Sequence, residues 1–243
     1  MATARFPHGF YYPDNHAISL PDIAATLLAH ERLLPFVGEL LEEVLPGVTV
    51  ESISIELDKI EDGSLREAFF VALLVVFQKD LERTVPGLVE SMTGTSIPDA
   101  YNTVITVLFV TLLYAGANVL IERTKRASEK SRIRAELDQK IDEAATALSI
   151  PPETMRAALS KVVNNKRRPV IVRAAIDLFR PAKRGGDGRI VPLNLESISR
   201  ETVAEFPTDV VMADLEKDTV PIPIARARLR IRATDRDKPD NGW

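Results

Sequence analysis

Nine lysines and arginines fall between Lys161 and Arg189, against Asp177 and Asp187 alone. The densest groups are Lys166-Arg167-Arg168 and Lys183-Arg184, which together form the candidate anion-binding set. Cationic clusters of this kind meet the phosphates of anionic lipid headgroups or of nucleic acid. Nucleic-acid sites usually add aromatic side chains for base stacking, and Phe179 is the one aromatic residue in the stretch. Lipid headgroups are therefore the first expected partner and nucleic acid the second, with a plain solvated basic face as the bland alternative. The loop Lys183–Arg189, KRGGDGR, lacks the spacing and the closing Lys-Ser/Thr of a phosphate-cradling loop, and it reads as a turn. Farther on, Arg226, Arg228, Arg230 and Arg232 alternate with Ala225, Ala227, Leu229 and Ile231. This pattern predicts a strand with one cationic face, able to hold an anion or, more simply, to pair with Glu56 and Asp58 of an acidic strand.

Catalytic chemistry finds no comparable support. There is no cysteine, so disulfides, thiolate metal sites and a cysteine nucleophile are excluded together. The three histidines, His8, His16 and His30, have no metal-ligand spacing. No nucleophile elbow, zincin or dinucleotide-binding motif occurs. The expectation is a non-enzymatic protein with no metal and no cofactor.

The elements that would carry these groups are arranged about the stretch between Pro98 and Pro151, 52 residues without proline and with one glycine, Gly116. Its first part, Ala100–Ile121, is 22 residues without a charge. Its second part, residues 122–150, is charged on nearly every turn. As one continuous helix the stretch would be about 78 Å long. The length of the uncharged run predicts a transmembrane helix, and the cationic cluster from Arg123 to Arg134 places its far end at the cytoplasmic side. Gly116, Asn118, Thr111 and Tyr114 suit a helix-association seam, which implies a homo-oligomer. The alternative is a helix buried in a soluble core or assembly. Ile133, Leu137, Ile141, Ala144 and Leu148 form a stripe that must meet another helix, from this chain or a second copy.

Charge divides the chain about this stretch. Residues 1–98 carry 6 basic and 15 acidic side chains, a net of −9, and residues 99–243 carry 25 and 20, a net of +5. Three parts follow: an acidic α+β head, 1–97; a central element, 98–150, with its apolar helix at 100–121 and a charged stalk at 122–150; and a basic α+β body, 151–243. The expected class is α+β, mainly helical, with a small N-terminal α/β head. Residues 1–18 predict a short strand or irregular lead-in. Capping boxes at Ser19–Asp22, Ser64–Glu67 and Ser96–Asp99 predict three helix starts. The first opens a helix split or kinked at Pro35 and ended by Pro46-Gly47. Val48–Ile60 alternates as a half-buried strand with an irregularity at Glu51-Ser52. The second box opens an all-apolar helix over 65–84. Paired with 100–121, its Ala68–Gln78 portion makes a membrane helical hairpin that keeps both soluble parts cytoplasmic. Shorter helices are expected from Pro152 to Asn164, over Val170–Phe179 and over Ser199–Glu205, with a strand at Ile190–Leu195. The N-terminus has no signal-peptide core, and the closing Asp-Asn-Gly turn before Trp243 reads as a body cut from a longer chain. The function expected is thus a membrane-associated, self-associating protein of the plasma or inner membrane. Its alternative is a cytoplasmic oligomeric module that recognises an anionic ligand or nucleic acid.

Overall fold

Ser19 opens the first helix as its capping box predicts. Its backbone is extended, and its hydroxyl accepts from the Asp22 amide at 3.3 Å while donating to the Asp22 carboxylate at 2.7 Å. Helix α1 then runs Leu20–Val44 through Pro35 without dividing, contrary to the split the proline suggests. Leu33, Leu34, Phe36, Val37 and Leu40 are all buried around Pro35, and that burial outweighs the one backbone hydrogen bond a proline forfeits. The computed structural model describes residues 2–13, 18–45, 47–61, 65–77, 103–124, 127–164, 166–184 and 188–206. The Ser96–Asp99 box, the centre of the KRGGDGR loop and the alternating arginines lie outside these residues.

On either side of α1 lie strands β1, Ala2–Tyr12, and β2, Val48–Glu61. Next comes β3, Leu65–Phe77, which corrects the helix expected over 65–84 and removes the descending arm of the membrane hairpin. Its register shows why. Val71 pairs with Phe6 of β1 and with Ile55 of β2, so this run is a strand with neighbours on both sides. A short run that is apolar at odd and even positions, and rich in valine and phenylalanine, suits a central strand better than a helix needing cover all round. In β2 the register shifts between Val50 and Ser52, a bulge at Glu51 where the alternation falters, and again between Leu57 and Lys59. A two-residue strand, β4 (Val191–Pro192), pairs with Tyr11 and Phe10, shorter than the strand expected over 190–195. The sheet order is β2-β3-β1-β4, and every neighbouring pair is antiparallel. β1 and β2 therefore run parallel, with β3 inserted between them and α1 as the connection.

The remaining elements are helices: α2 (Val104–Thr124), α3 (Ala127–Ala147), α4 (Pro152–Val162), α5 (Arg168–Arg184) and α6 (Arg200–Glu205). Like α1, helix α5 runs past an internal proline, Pro181, where its end is expected; Ala182 beyond it is buried. The class is α+β and mainly helical. The central stretch is not one long rod, because α3 folds back along α2. The Thr111 hydroxyl donates to the Lys140 carbonyl at 3.3 Å, and the Tyr114 hydroxyl bonds Glu136. These two pairs are centred on the same point, between Thr124 and Ala127, so the helices are antiparallel. The stripe Ile133, Ile141, Ala144 and Leu148 is buried, with Leu137 half-buried, and its partner helix belongs to the same chain.

Helix α2 sits at the centre of the molecule, against β1, α1, α3 and α5. Every residue from Val104 to Ala117 is buried. Residues of the expected head, central element and body all contribute to one hydrophobic cluster, with α1 packed on α5 and β1 paired with β4. At Gly116, α2 and α5 approach so closely that an added methyl group would lie 3.1 Å from the Ile171 carbonyl oxygen and 3.2 Å from the Ala175 Cβ. A Gly116→Ala change gains about 1 kcal/mol of helix propensity, offset by that crowding. Gly116→Val must push two helices apart and is expected to cost about 1–3 kcal/mol of unfolding free energy. Equilibrium denaturation of the two variants checks this, and an unchanged midpoint for the valine would contradict the close approach.

Candidate functional site

The five residues of the expected anion-binding set do not converge. Lys166, Arg167 and Arg168 stand at the start of α5, and Lys183 and Arg184 at its end, about 25 Å away along a 17-residue helix. Most are occupied by partners within the fold. Arg167 is ion-paired with Glu39, and its guanidinium lies 5.9 Å from the centre of the Phe36 ring. Lys183 donates to the Phe206 carbonyl at 2.8 Å. Arg184 donates to both carboxylate oxygens of the buried Asp22, each at 3.0 Å. Lys166 is exposed and Arg168 half-buried.

These pairs follow a pattern. Asp22, Arg32 and Glu39 of α1 meet Arg184 and Asp177 of α5 and Arg167 just before it, one ascending as the other descends. Glu43, near the end of α1, meets Lys161 of α4 at 2.5 Å. The acidic head and the basic body thus neutralise each other along an antiparallel pair of helices. That docking accounts for much of the basic density that suggested a headgroup-binding surface.

One cluster on this seam keeps an excess of positive charge. The Asp177 carboxylate, 3% exposed, accepts from Arg32 at 2.8 Å, from Arg173 at 3.3 Å and lies 3.1 Å from Arg180. Three guanidiniums around one carboxylate leave a local net of +2, and their side chains are 38%, 45% and 22% exposed. Among the described residues no second carboxylate pairs with any of the three. Arg173 and Arg180 lie four residues before and three after Asp177, a helical spacing visible in the sequence. Arg32 lies 145 residues away and carries no such signal.

The helix-association set is also resolved within the chain. Gly116 touches α5, Thr111 bonds α3, and Tyr114 is buried against Glu136, whereas Asn118 donates to Glu122 on its own helix at 3.1 Å. Burial first, and the Glu136 charge second, push the Tyr114 hydroxyl well above its usual pKa. Around it Thr202 donates to both Glu136 oxygens at 2.9 Å, and Arg132 reaches Glu136 and Glu205 at 3.1 Å each. This network clamps α6 onto the α2–α3 hairpin.

His8 and His30, which have no spacing in common, are brought together. Their rings are 5.2 Å apart, both fully buried, and His8 stacks on Phe109 at 4.2 Å. His30 Nδ1 donates to the Thr26 carbonyl at 2.8 Å, and His8 Nδ1 lies 3.1 Å from the Thr106 hydroxyl. The signal for His8 is its place in the alternation Phe6, His8, Phe10, Tyr12, all buried on one face of β1. Burial pushes both imidazoles down, His30 to about 4 and His8 well below its ordinary value with His30 adding to the effect. No group of three or more His, Asp or Glu able to hold a metal occurs among the described residues. The chain matches no known family model, and no characterised protein or solved structure matches it.

Two predictions follow from this chemistry. An unfolded histidine takes up a proton below about pH 6.5, whereas the folded pair resists it. Stability is therefore full above that pH and lost as pH falls toward about 4, by up to roughly 1.4 kcal/mol per pH unit for each histidine. Urea denaturation across this range should show the slope, and His8→Phe should flatten it; a flat profile in the parent chain would contradict it. At the Asp177 cluster, Asp177→Asn should cost about 1.5–3 kcal/mol, because it strips a charged acceptor from three donors. Glu43→Gln, at an exposed pair, should cost less than about 1 kcal/mol. Equal costs in thermal unfolding would show that the cluster has no special weight.

Proposed function

We propose that the chain is a non-enzymatic, soluble binding module that takes a phosphate-bearing anion at Arg32, Arg173 and Arg180. The observation that carries this reading is the sharing of one buried carboxylate by three partly exposed guanidiniums. Asp177 fixes the three groups in place, and their uncompensated charge faces water, where planar guanidiniums favour phosphate oxygens. The basic density of this helix in the sequence supports a recognition face, and we set its focus at the middle of the α1–α5 seam in place of the two ends of α5.

A second reading, membrane association, is favoured by the span Val104–Glu122, 19 residues long and apolar enough to cross a bilayer. Against it stands the burial of 89% of that window inside the protein, as expected of a helix covered by its own chain. The contacts of Gly116, Thr111 and Tyr114 are made within the chain, so α2 is not proposed as an oligomer seam.

Fluorescence anisotropy with a short labelled single-stranded DNA as polyanion probe tests the first reading, with inorganic pyrophosphate as competitor. Binding should weaken with salt at a logarithmic slope of about −2, as expected for three phosphate contacts on a single strand. The double change Arg173→Ala with Arg180→Ala should abolish it; Asp177 keeps Arg32, so the variant should remain folded by circular dichroism at reduced stability. Binding retained in that variant would reject the site. Recovery of the parent chain in the carbonate-resistant pellet, rather than in the detergent-free supernatant, would favour the membrane.

A further inference from the structure

Among the described residues, strand β2 is an edge. Its inner side is paired with β3 from Val48 to Glu61, and among the described residues nothing pairs with its outer side. An open edge of 14 residues is a template for another strand. Its two faces differ. Ile53 and Ile55 are half-buried and pack against the core, whereas Ser52, Ser54 and Glu56 are exposed on the other face, where Glu56 is ion-paired with Arg5 of β1. The register shifts at Glu51 and Asp58 leave Ser52–Leu57 as the regular portion.

Charge decides what fits there. β2 carries Glu51, Glu56, Asp58 and Glu61 against Lys59, a net of −3. A second copy of β2 would set two such strands side by side, where like charges oppose pairing. The chain has one segment of complementary character, residues 224–233. It holds four arginines and no acid, and its other parity, Ala225, Ala227, Leu229 and Ile231, is apolar. That period of two matches the two-faced edge: apolar residues beside Ile53 and Ile55, arginines beside Ser52, Ser54 and Glu56. Residues 207–223 join the end of α6 to this segment, 17 residues with a reach of about 56 Å, enough to arrive at any edge of a domain this size.

We propose that residues 224–233 dock as a fifth strand on the outer edge of β2 of the same chain, with the arginines on the face of Ser54 and Glu56. The sheet then ends in a cationic strand, and the acidic edge that would otherwise invite another chain is closed.

Because the chain has no cysteine, paired substitutions report the register directly. Ser54→Cys combined in turn with Arg226→Cys, Arg228→Cys, Arg230→Cys or Arg232→Cys should give an intramolecular disulfide in at least one pair. Such a bond needs Cβ atoms about 4 Å apart, which a directly opposed cross-strand pair supplies. The controls Ser54→Cys with Ala227→Cys or with Leu229→Cys should stay reduced under the same mild oxidation. Hydrogen exchange on the unmodified chain gives the second readout. Amides of Ser52–Leu57 should exchange at least tenfold faster when the four arginines are replaced by glutamate, with α2 unaffected. Absence of any cross-link, cross-linking at both parities, a cross-link only between copies, or exchange unchanged by the glutamates would each overturn the proposal.

Discussion

A helix that carries no charge over five turns must be hidden from water on every side, and the fold is arranged around that requirement. Helix α2 packs against β1, α1, α3 and α5. Its polar groups are satisfied locally, Thr111 by the carbonyls of Val107 and Lys140, Thr106 by His8, and Tyr114 by Glu136. A buried hydroxyl without a partner would cost more than its net hydrogen bond contributes, so these contacts are part of what permits the enclosure. Gly116 eases the rest, since even a methyl group there would crowd the Ile171 carbonyl and the Ala175 side chain of α5.

Enclosing α2 forces two distant parts of the chain together, and their charges suit that meeting. α1 and α5 both lie against it and against each other, and opposite charges meet across them in antiparallel order: Asp22 and Glu39 on the α1 side face Arg184 and Arg167, while Arg32 faces Asp177 with the signs reversed. Exposed pairs such as Glu43–Lys161 add little each. Their combined effect is to fix how the helices are aligned, while Asp177 and Asp22, both buried, must keep their arginines or face desolvation alone. The division between a negative first part and a positive remainder is thus a property of the intramolecular seam before it is a property of any ligand site.

Local signals in the sequence were legible where they act over a few residues. The Ser19 cap, the short helix after Ser199, the bulge at Glu51 and the stripe from Ile133 to Leu148 all appear where their patterns place them. Pro35 and Pro181 misled because tertiary burial overrode a local preference. The run from Leu65 to Phe77 misled because an all-apolar segment has no period, so helix and central strand look alike until its neighbours are known. The uncharged run of α2 is ambiguous for the same kind of reason: length and composition do not say whether lipid or protein supplies the cover. The sites depend on contacts across the chain. His8 with His30, and Arg32 with Asp177, are pairings that only the topology creates, and no spacing rule could have found them.

Protein side chains cover most of α2. Native-state hydrogen exchange of the purified chain in detergent-free buffer tests this most directly. The backbone amides of Val107–Leu120 should be among the slowest in the molecule, exchanging only with global unfolding. Fast exchange along α2 while β1 and α1 remain protected, or a chain that stays dispersed only in detergent, would contradict it.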